Sequence, residues 1–219
     1  MRYAVLGTGV VGQALAGKLV SLGHEVRMGS RSKDNPAALE WAQKAGPGAS
    51  TGTFADAAGF GELIIEAVGG HVALAALQAA GAEHLDGKVV IDTSNKLEAM
   101  EGGGMRLAPL DDIGSVGEQL QREFPRARVV KTLNTLNFGV MTDPAAAPGA
   151  HQVFLSGDDA AAKEQVRALL GEFGWPGERV LDLGGIETAR GVELMMPMWL
   201  TLYGNFGHGN FNWQVQAMD

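Results

Sequence analysis

The chain has 219 residues, with 25 acidic against 17 basic side chains and a formal charge of −8. An acidic balance argues against non-specific nucleic-acid binding, whose footprint is basic. The absence of cysteine excludes disulfides, thiolate metal sites and cysteine nucleophiles. Glycine is the outlier at 32 residues, roughly double the ~7% average, and with only 8 prolines the pattern fits tight turns and close backbone approaches rather than disorder.

Tyr3–Leu6 reads as a strand buried on both faces and closed by Gly7. Apolar residues at Val11, Ala14, Leu15, Leu19 and Leu22 predict a helix from Val10 to Leu22, ended by Gly23. A second strand is expected over His24–Met28, with Gly29-Ser30-Arg31-Ser32 as the loop leaving it, then a helix over Pro36–Ala45. Glu62–Val68 is a buried strand, His71–Ala80 a helix and Lys88–Asp92 a fourth strand. Between Lys96 and Ile113 the pattern dissolves around Gly102-Gly103-Gly104, which reads as a mobile loop. A helix over Val116–Phe124, strands over Arg128–Leu133 and Gln152–Ser156, a helix over Asp159–Phe173 and a strand over Val180–Leu183 complete the regular part. Ile186–Tyr203 is mostly apolar, and a glycine-aromatic tail follows.

Strands alternating with helices at this spacing predict α/β architecture, a doubly wound and mostly parallel sheet with helices on both faces. The expected division is a dinucleotide-binding domain over 1–150 and a small C-terminal α/β extension over 151–219, which lengthens the sheet and packs one more helix. No window offers the ~18 unbroken apolar residues of a membrane span. The motif begins so close to Met1 that no signal peptide is expected. A cytoplasmic protein is the default reading.

Gly7-Thr8-Gly9-Val10-Val11-Gly12 is a G-x-G-x-x-G run placed directly after a strand and opening a helix, the context that gives this motif its meaning. The first glycine allows the turn, the second lets a pyrophosphate approach the backbone and the third lets helix pack on strand. The helix N-terminus then offers N–H groups to the phosphates. A Rossmann-type dinucleotide site follows. An NAD site would carry Asp or Glu at the end of the second strand. This chain has Ser30, Arg31 and Lys33 there, and its nearby acid, Glu25, lies at the strand's start. A hydroxyl, a guanidinium and an ammonium suit a 2′-phosphate, so the expected cofactor is NADP.

The reacting end of a dinucleotide lies over the carboxyl ends of the strands. The residues expected there are Ala67, Val68, Gly69 and Gly70, then Thr93, Ser94 and Asn95, then Asn134, Thr135 and Asn137. Loop capping is an equally good reading of each asparagine. No catalytic side chain and no metal site is expected: the five histidines are scattered, and no H-x-x-x-H pair occurs. His71 and Lys96 follow strand ends, but a surface role suits both better. The aromatic tail (Trp199, Tyr203, Phe206, Phe211 and Trp213, with Met195, Met196 and Met198) is too apolar for a free terminus and is expected to divide between core and subunit interface.

Met1–Gly12, Gly29-Ser30-Arg31, Val129-Val130-Lys131-Thr132-Leu133-Asn134-Thr135 and Gly157-Asp158-Asp159 together resemble the deazaflavin-dependent NADP reductases, the coenzyme F420:NADP oxidoreductases. Similar pieces occur in the reductase domain of six-transmembrane metalloreductases. The resemblance implies hydride exchange between NADPH and a deazaflavin (coenzyme F420) or a flavin, FMN or FAD. By position, Thr8–Val11 would hold the pyrophosphate, and Ser30 and Arg31 the 2′-phosphate. The loops Ala67–Gly70 and Asn134–Asn137 would flank the stacked rings. Such a reaction needs alignment more than an acid–base side chain. An NADPH-dependent reductase of a small organic substrate, or a non-catalytic NADPH sensor, are the alternatives. The expected partners are small redox cofactors and a second copy of the chain, joined through the aromatic segment, with no nucleic acid and no membrane.

Overall fold

The computed structural model describes residues 1–109 and 114–217. Chain order runs β1 (Arg2–Leu6), α1 (Val10–Ser21), β2 (Glu25–Ser30), α2 (Pro36–Ala45), β3 (Ala49–Thr53), α3 (Phe54–Phe60), β4 (Leu63–Glu66), α4 (Ala73–Ala80), α5 (Ala82–Leu85) and β5 (Val89–Asp92). It continues with β6 (Leu97–Ala99), β7 (Met105–Leu107), α6 (Val116–Glu123), β8 (Arg128–Lys131), α7 (Phe138–Thr142), β9 (Val153–Leu155), α8 (Ala160–Glu172), β10 (Val180–Asp182), α9 (Ala189–Glu193) and α10 (Met196–Phe206). Six strands form one parallel sheet in the order β3-β2-β1-β4-β5-β8. The order reverses between β1 and β4, which places the switch point beside the glycine run.

Local chemistry explains the element boundaries. Asn35 caps α2 by accepting from the Ala38 N–H, with Pro36 at the first helical position. Thr53 with Asp56, and Ser115 with Glu118, form reciprocal capping boxes at the starts of α3 and α6. Alternate strand residues feed two cores. Tyr3, Val5, Ile65, Ile91 and Val130 pack under α1, α2, α7 and α8, while Ala4, Leu6, Ile64, Val90 and Val129 pack under α3, α4, α5, α6 and α9. Helices therefore cover both faces, as a parallel sheet requires.

Three differences from the sequence reading are informative. β3 and α3 lie in a stretch that carries no strand-like apolar run (Ala49-Ser50-Thr51-Gly52-Thr53); as an edge strand, β3 is only partly buried and needs none. The loop expected over Lys96–Ile113 holds an antiparallel hairpin, β6–β7, while its residues 110–113 lie outside the described ones. Gly102, Gly103 and Gly104 all have positive φ (88°, 101° and 86°) and make the hairpin turn, with Arg106 paired to its cross-strand neighbour Glu98 at 2.6 Å. The C-terminal strands do not lengthen the main sheet by a full ladder. β9 and β10 pair with each other in parallel, and a single antiparallel bridge between Lys131 and Ser156 joins them to β8.

That bridge accounts for Gly157-Asp158-Asp159. A Cβ on Gly157 would stand 2.8 Å from the Val129 carbonyl oxygen, so only glycine allows the approach. Asp158 accepts from the Ile186 N–H at 2.8 Å and Asp159 caps α8 through the Ala162 N–H at 2.7 Å. The tail is anchored at His151, which bonds the Pro144 and Ala147 carbonyls through Nε2 and Asn212 through Nδ1. The aromatic residues beyond α9 pack chiefly on one another: Trp199 stacks on Tyr203 at 5.2 Å, and Phe211 lies against Trp199 and Phe206. Within α10 only Met196 is buried, so the helix adds little to the core, against expectation.

Candidate dinucleotide and hydride-transfer site

The glycine run is packed too tightly to hold side chains at two of its three glycines. Gly7 has φ +128°, and a Cβ there would meet the Ala67 carbonyl oxygen at 2.6 Å. A Cβ on Gly12 would overlap the Gly7 carbonyl oxygen. Gly9 is different: nothing lies within 4 Å of its missing Cβ, so its backbone faces open space at the N-terminus of α1. There the first N–H groups of the helix have no intrahelical acceptor. Gln13 Nε2 donates to the Thr8 carbonyl at 2.9 Å and braces the loop from below.

A cavity of about 720 Å³ opens above this loop. Gly7, Thr8 and Gly9 form its floor; Ser30 and Arg31 enter from the end of β2, and Ala67, Val68 and Gly69 from the end of β4. Ser30 Oγ donates to the Ser32 carbonyl at 2.5 Å and accepts from the Ser32 N–H at 3.3 Å, which turns the chain sharply. Arg31 follows it and is exposed at the rim. Glu25, at the other end of β2, is far along the strand from this rim.

The far side of the switch point carries a row of ionisable side chains with no solvent exposure. Glu66, Asp92 and Lys131 are the last residues of β4, β5 and β8, and the register pairs Glu66 with Asp92 and Asp92 with Lys131. Lys131 Nζ lies 2.9 Å from Asp92 Oδ2 and 2.7 Å from Glu193 Oε1 of α9. Burial works against the lysine charge, but Asp92 and then Glu193 outweigh it and hold the pKa above the usual lysine value. Glu193 in turn accepts from the Val116 and Gly117 N–H groups at the start of α6. Burial first, and then the Asp92 charge, push Glu66 well above the ordinary carboxylate value of 4.5. Its Oε2 finds no donor, which a carboxylate would need and a carboxylic acid does not. Burial and the neighbouring Asp92 charge thus favour the neutral form of Glu66.

The structure brings Gly7, Thr8, Gly9, Ser30, Arg31, Ala67, Val68 and Gly69 together around one cavity. It places Gly12 beneath the loop, Val11 against the core, and Val10 and Phe138 on a separate groove along α1. Lys33 is exposed beyond the cavity lining. Asn95 and Asn134 bond each other: Asn95 Nδ2 donates to the Asn134 carbonyl at 2.7 Å, and Asn134 Nδ2 to Asn95 Oδ1 at 3.0 Å. Thr135 is buried beside them, and Asn137 caps α7 through the Gly139 N–H. The cavity is also lined by residues that the sequence reading passed over: Asn35, Phe54, Val72, Ala75, Ala76 and Ala79, with His71 at its edge. A run of small residues in α4 (Ala75, Ala76, Ala79) was the available signal, since it leaves room for a flat ring.

Two outcomes are expected. Gly9→Ala should leave the unfolding free energy within about 0.5 kcal/mol of wild type, as for a surface change, yet weaken NADPH at least about tenfold, or ~1.4 kcal/mol. Gly12→Ala should instead destabilise the fold by about 1–3 kcal/mol through overpacking. Chemical denaturation paired with fluorescence titration separates the two. For Glu66, the folded pKa lies above the unfolded one, so the wild type loses stability as pH rises above about 4.5. The stability difference, Glu66→Gln minus wild type, should therefore grow between pH 5 and 7 by up to about 1.4 kcal/mol per pH unit. A flat difference in urea melts across that range would mean that Glu66 is ionised in the fold.

Comparison with known proteins fits this geometry. Residues 2–96 match the family described as NADP oxidoreductase, coenzyme F420-dependent. The F420-dependent NADP reductase of Methanothermobacter marburgensis is 30% identical over 211 residues, covering 92% of each chain. The rat metalloreductase STEAP3 is 30% identical over 206 residues, and there the chain spans 38% of the relative's length. Among solved structures, a candidate F420-dependent NADP-reductase from Arthrobacter sp. FB24 superposes with a TM-score of 0.91 at 45% identity, covering 98% of this chain and 99% of that one. An imine reductase from Myxococcus stipitatus in complex with NADP+ shares the fold, with a TM-score of 0.66 at 19% identity over 94% of this chain and 64% of its own. The coverage of the archaeal reductase over nearly its whole length shows that this chain belongs to the F420-dependent NADP oxidoreductase family.

Proposed function

We propose that the protein binds NADPH across the switch point and exchanges hydride between it and coenzyme F420. One observation carries the reading: a cavity floored by Gly7, Thr8 and Gly9 has Ser30 and Arg31 at its ribose end, where an NAD site would hold an acid. The open space at Gly9 fits a pyrophosphate against the backbone, and the Arg31 fork fits a 2′-phosphate. When bound, the nicotinamide supplies the chemistry, a hydride leaving its C4 for the C5 of the deazaflavin. The chain's own part is positional. Thr8, Gly9 and the α1 N-terminus hold the phosphates, Phe54 and the α4 alanines wall the adenine end, and Ala67–Gly69 direct the chain of the cofactor toward Asn95, Asn134, Thr135 and Asn137.

The same reading includes a dinucleotide-binding unit over 1–150, a C-terminal extension over 151–219 and a cytoplasmic setting. Among the described residues no helix is long and apolar enough to cross a membrane. It also includes a homodimer joined through α10. Leu194, Met198, Tyr203 and Phe206 are exposed on and beside that helix, an apolar strip that a second copy would cover.

Arg31→Ala should weaken NADPH by about 1.5–3 kcal/mol, the worth of a charged hydrogen bond, and leave NADH unchanged. Equal weakening of both cofactors would remove the 2′-phosphate assignment. Mixed anaerobically with NADPH, the protein should bleach oxidised F420 faster than FMN or FAD. Bleaching of a flavin alone would move the substrate to that class, and silence with all three would leave a small-molecule reductase or a sensor. In light scattering, the wild type should run at twice the chain mass and Met198→Lys/Phe206→Lys at the chain mass; a monomeric wild type removes the dimer.

A further inference from the structure

The buried row of Glu66, Asp92, Lys131 and Glu193 is larger than folding requires. Apolar side chains of the same volume commonly serve stability as well or better than a buried ion pair. What the row does is reach upward. Glu66 Oε1 accepts from the Val68 N–H at 2.8 Å. Asp92 Oδ1 accepts from the Ser94 N–H at 2.8 Å and from Ser94 Oγ at 2.7 Å. Lys131 gives a further N–H to the Ser94 carbonyl at 2.5 Å. Asp92 and Lys131 thus each spend one contact within the row and another on the loop after β5, while Glu66 reaches the loop after β4 and Glu193 ties Lys131 to the start of α6.

The loops are also tied to each other. Gly70 N–H donates to the Asn95 carbonyl at 3.0 Å, and a Cβ on Gly70 would stand 2.7 Å from the Asn95 backbone. The reciprocal Asn95–Asn134 pair closes the set. Leu133, just before Asn134, is held at φ +64°, the only positive φ outside glycine among the described residues. A left-handed leucine persists only where its surroundings impose it. Here those surroundings are the Lys131–Ser156 bridge on one side and the asparagine pair on the other.

We propose that this row is the positioning device for the nicotinamide half of the cofactor. It locks the loops 67–70, 93–95 and 133–135 into one platform, and Glu193 of α9 completes it from the C-terminal part of the chain. Lys131, Asp92 and Glu193 act through the loops and touch no reacting atom; they are positioning residues. The inference rests on the reading that NADPH lies across these loops, while its test does not depend on which acceptor takes the hydride.

The test compares two ligands, NADPH and adenosine 2′,5′-bisphosphate, which lacks the nicotinamide and occupies only the adenine end. Lys131→Met should weaken NADPH at least tenfold and leave the bisphosphate within twofold. Glu193→Gln keeps the shape and an acceptor for α6, and should move NADPH in the same direction by at least threefold; it decides the matter if Lys131→Met does not fold. In turnover the loss should fall on kcat at saturating NADPH as well as on KM. A merely structural role would weaken both ligands equally or neither, and either result overturns the proposal. A wild type that binds the bisphosphate but gains nothing from the nicotinamide also overturns it. A wild type that binds NADPH yet reduces no F420 defeats only the acceptor assignment, because the affinity ratio still reports on the platform.

Discussion

Lys131 is the constraint around which the site is arranged. An ammonium with no solvent exposure survives only when its partners replace the lost water, and two carboxylates and a carbonyl do so within 2.9 Å. Removing one partner from such a group typically costs about 3–5 kcal/mol, a large share of the roughly 5–15 kcal/mol that holds a domain together. The arrangement therefore couples things that are separate in sequence: the ends of β5 and β8, the start of α6 and the short helix α9. Glu66 shows the same balance from the other side. Burial and the Asp92 charge outweigh what the Val68 N–H and Lys131 offer a carboxylate there, and they raise its pKa.

The opposite half of the cleft is organised by contact rather than charge. Gly7 and Gly12 are glycines because carbonyl oxygens occupy the space a Cβ would take, and that closeness seats α1 directly beside the end of β4. Gly9 differs: nothing lies within 4 Å of where its Cβ would stand, the open space in which the proposed reading seats a pyrophosphate. The two halves meet at Ala67–Gly70, which packs against Gly7 on one side and Asn95 on the other.

The C-terminal part is not an ornament on this sheet. It reaches β8 by a glycine-permitted bridge at Gly157 and the buried row by the Glu193 carboxylate, while His151 holds the Pro144 and Ala147 carbonyls. Beyond these ties α10 packs against β7 and turns its aromatic side chains toward one another and toward solvent. Leu194, Met198, Tyr203 and Phe206 are left exposed on and beside that helix.

Much of this protein was legible in its sequence, and the reason is locality. The strands carry continuous apolar runs at Tyr3–Leu6, Leu63–Ile65 and Val89–Ile91 because both faces are covered. The glycine motif carries its own context, and Ser30-Arg31 stand at a fixed distance along the chain from it. Where the signal was not local, the reading fell short. β3 lacked an apolar run because it is an edge, and the triple glycine resembled slack although its φ values build a hairpin. The asparagines read as ligand contacts or caps turned out to bond each other and α7. No spacing marks Glu66, Asp92, Lys131 and Glu193 as one group. They become neighbours only when parallel register aligns three strand ends and α9 folds over them, and burial then makes charge pairing obligatory. The sequence by itself determined the sheet, the dinucleotide loop and the preference for a 2′-phosphate. Only the tertiary structure decided how the ends of β4, β5 and β8 are tied to α9, because register and desolvation act on residues that the chain keeps far apart.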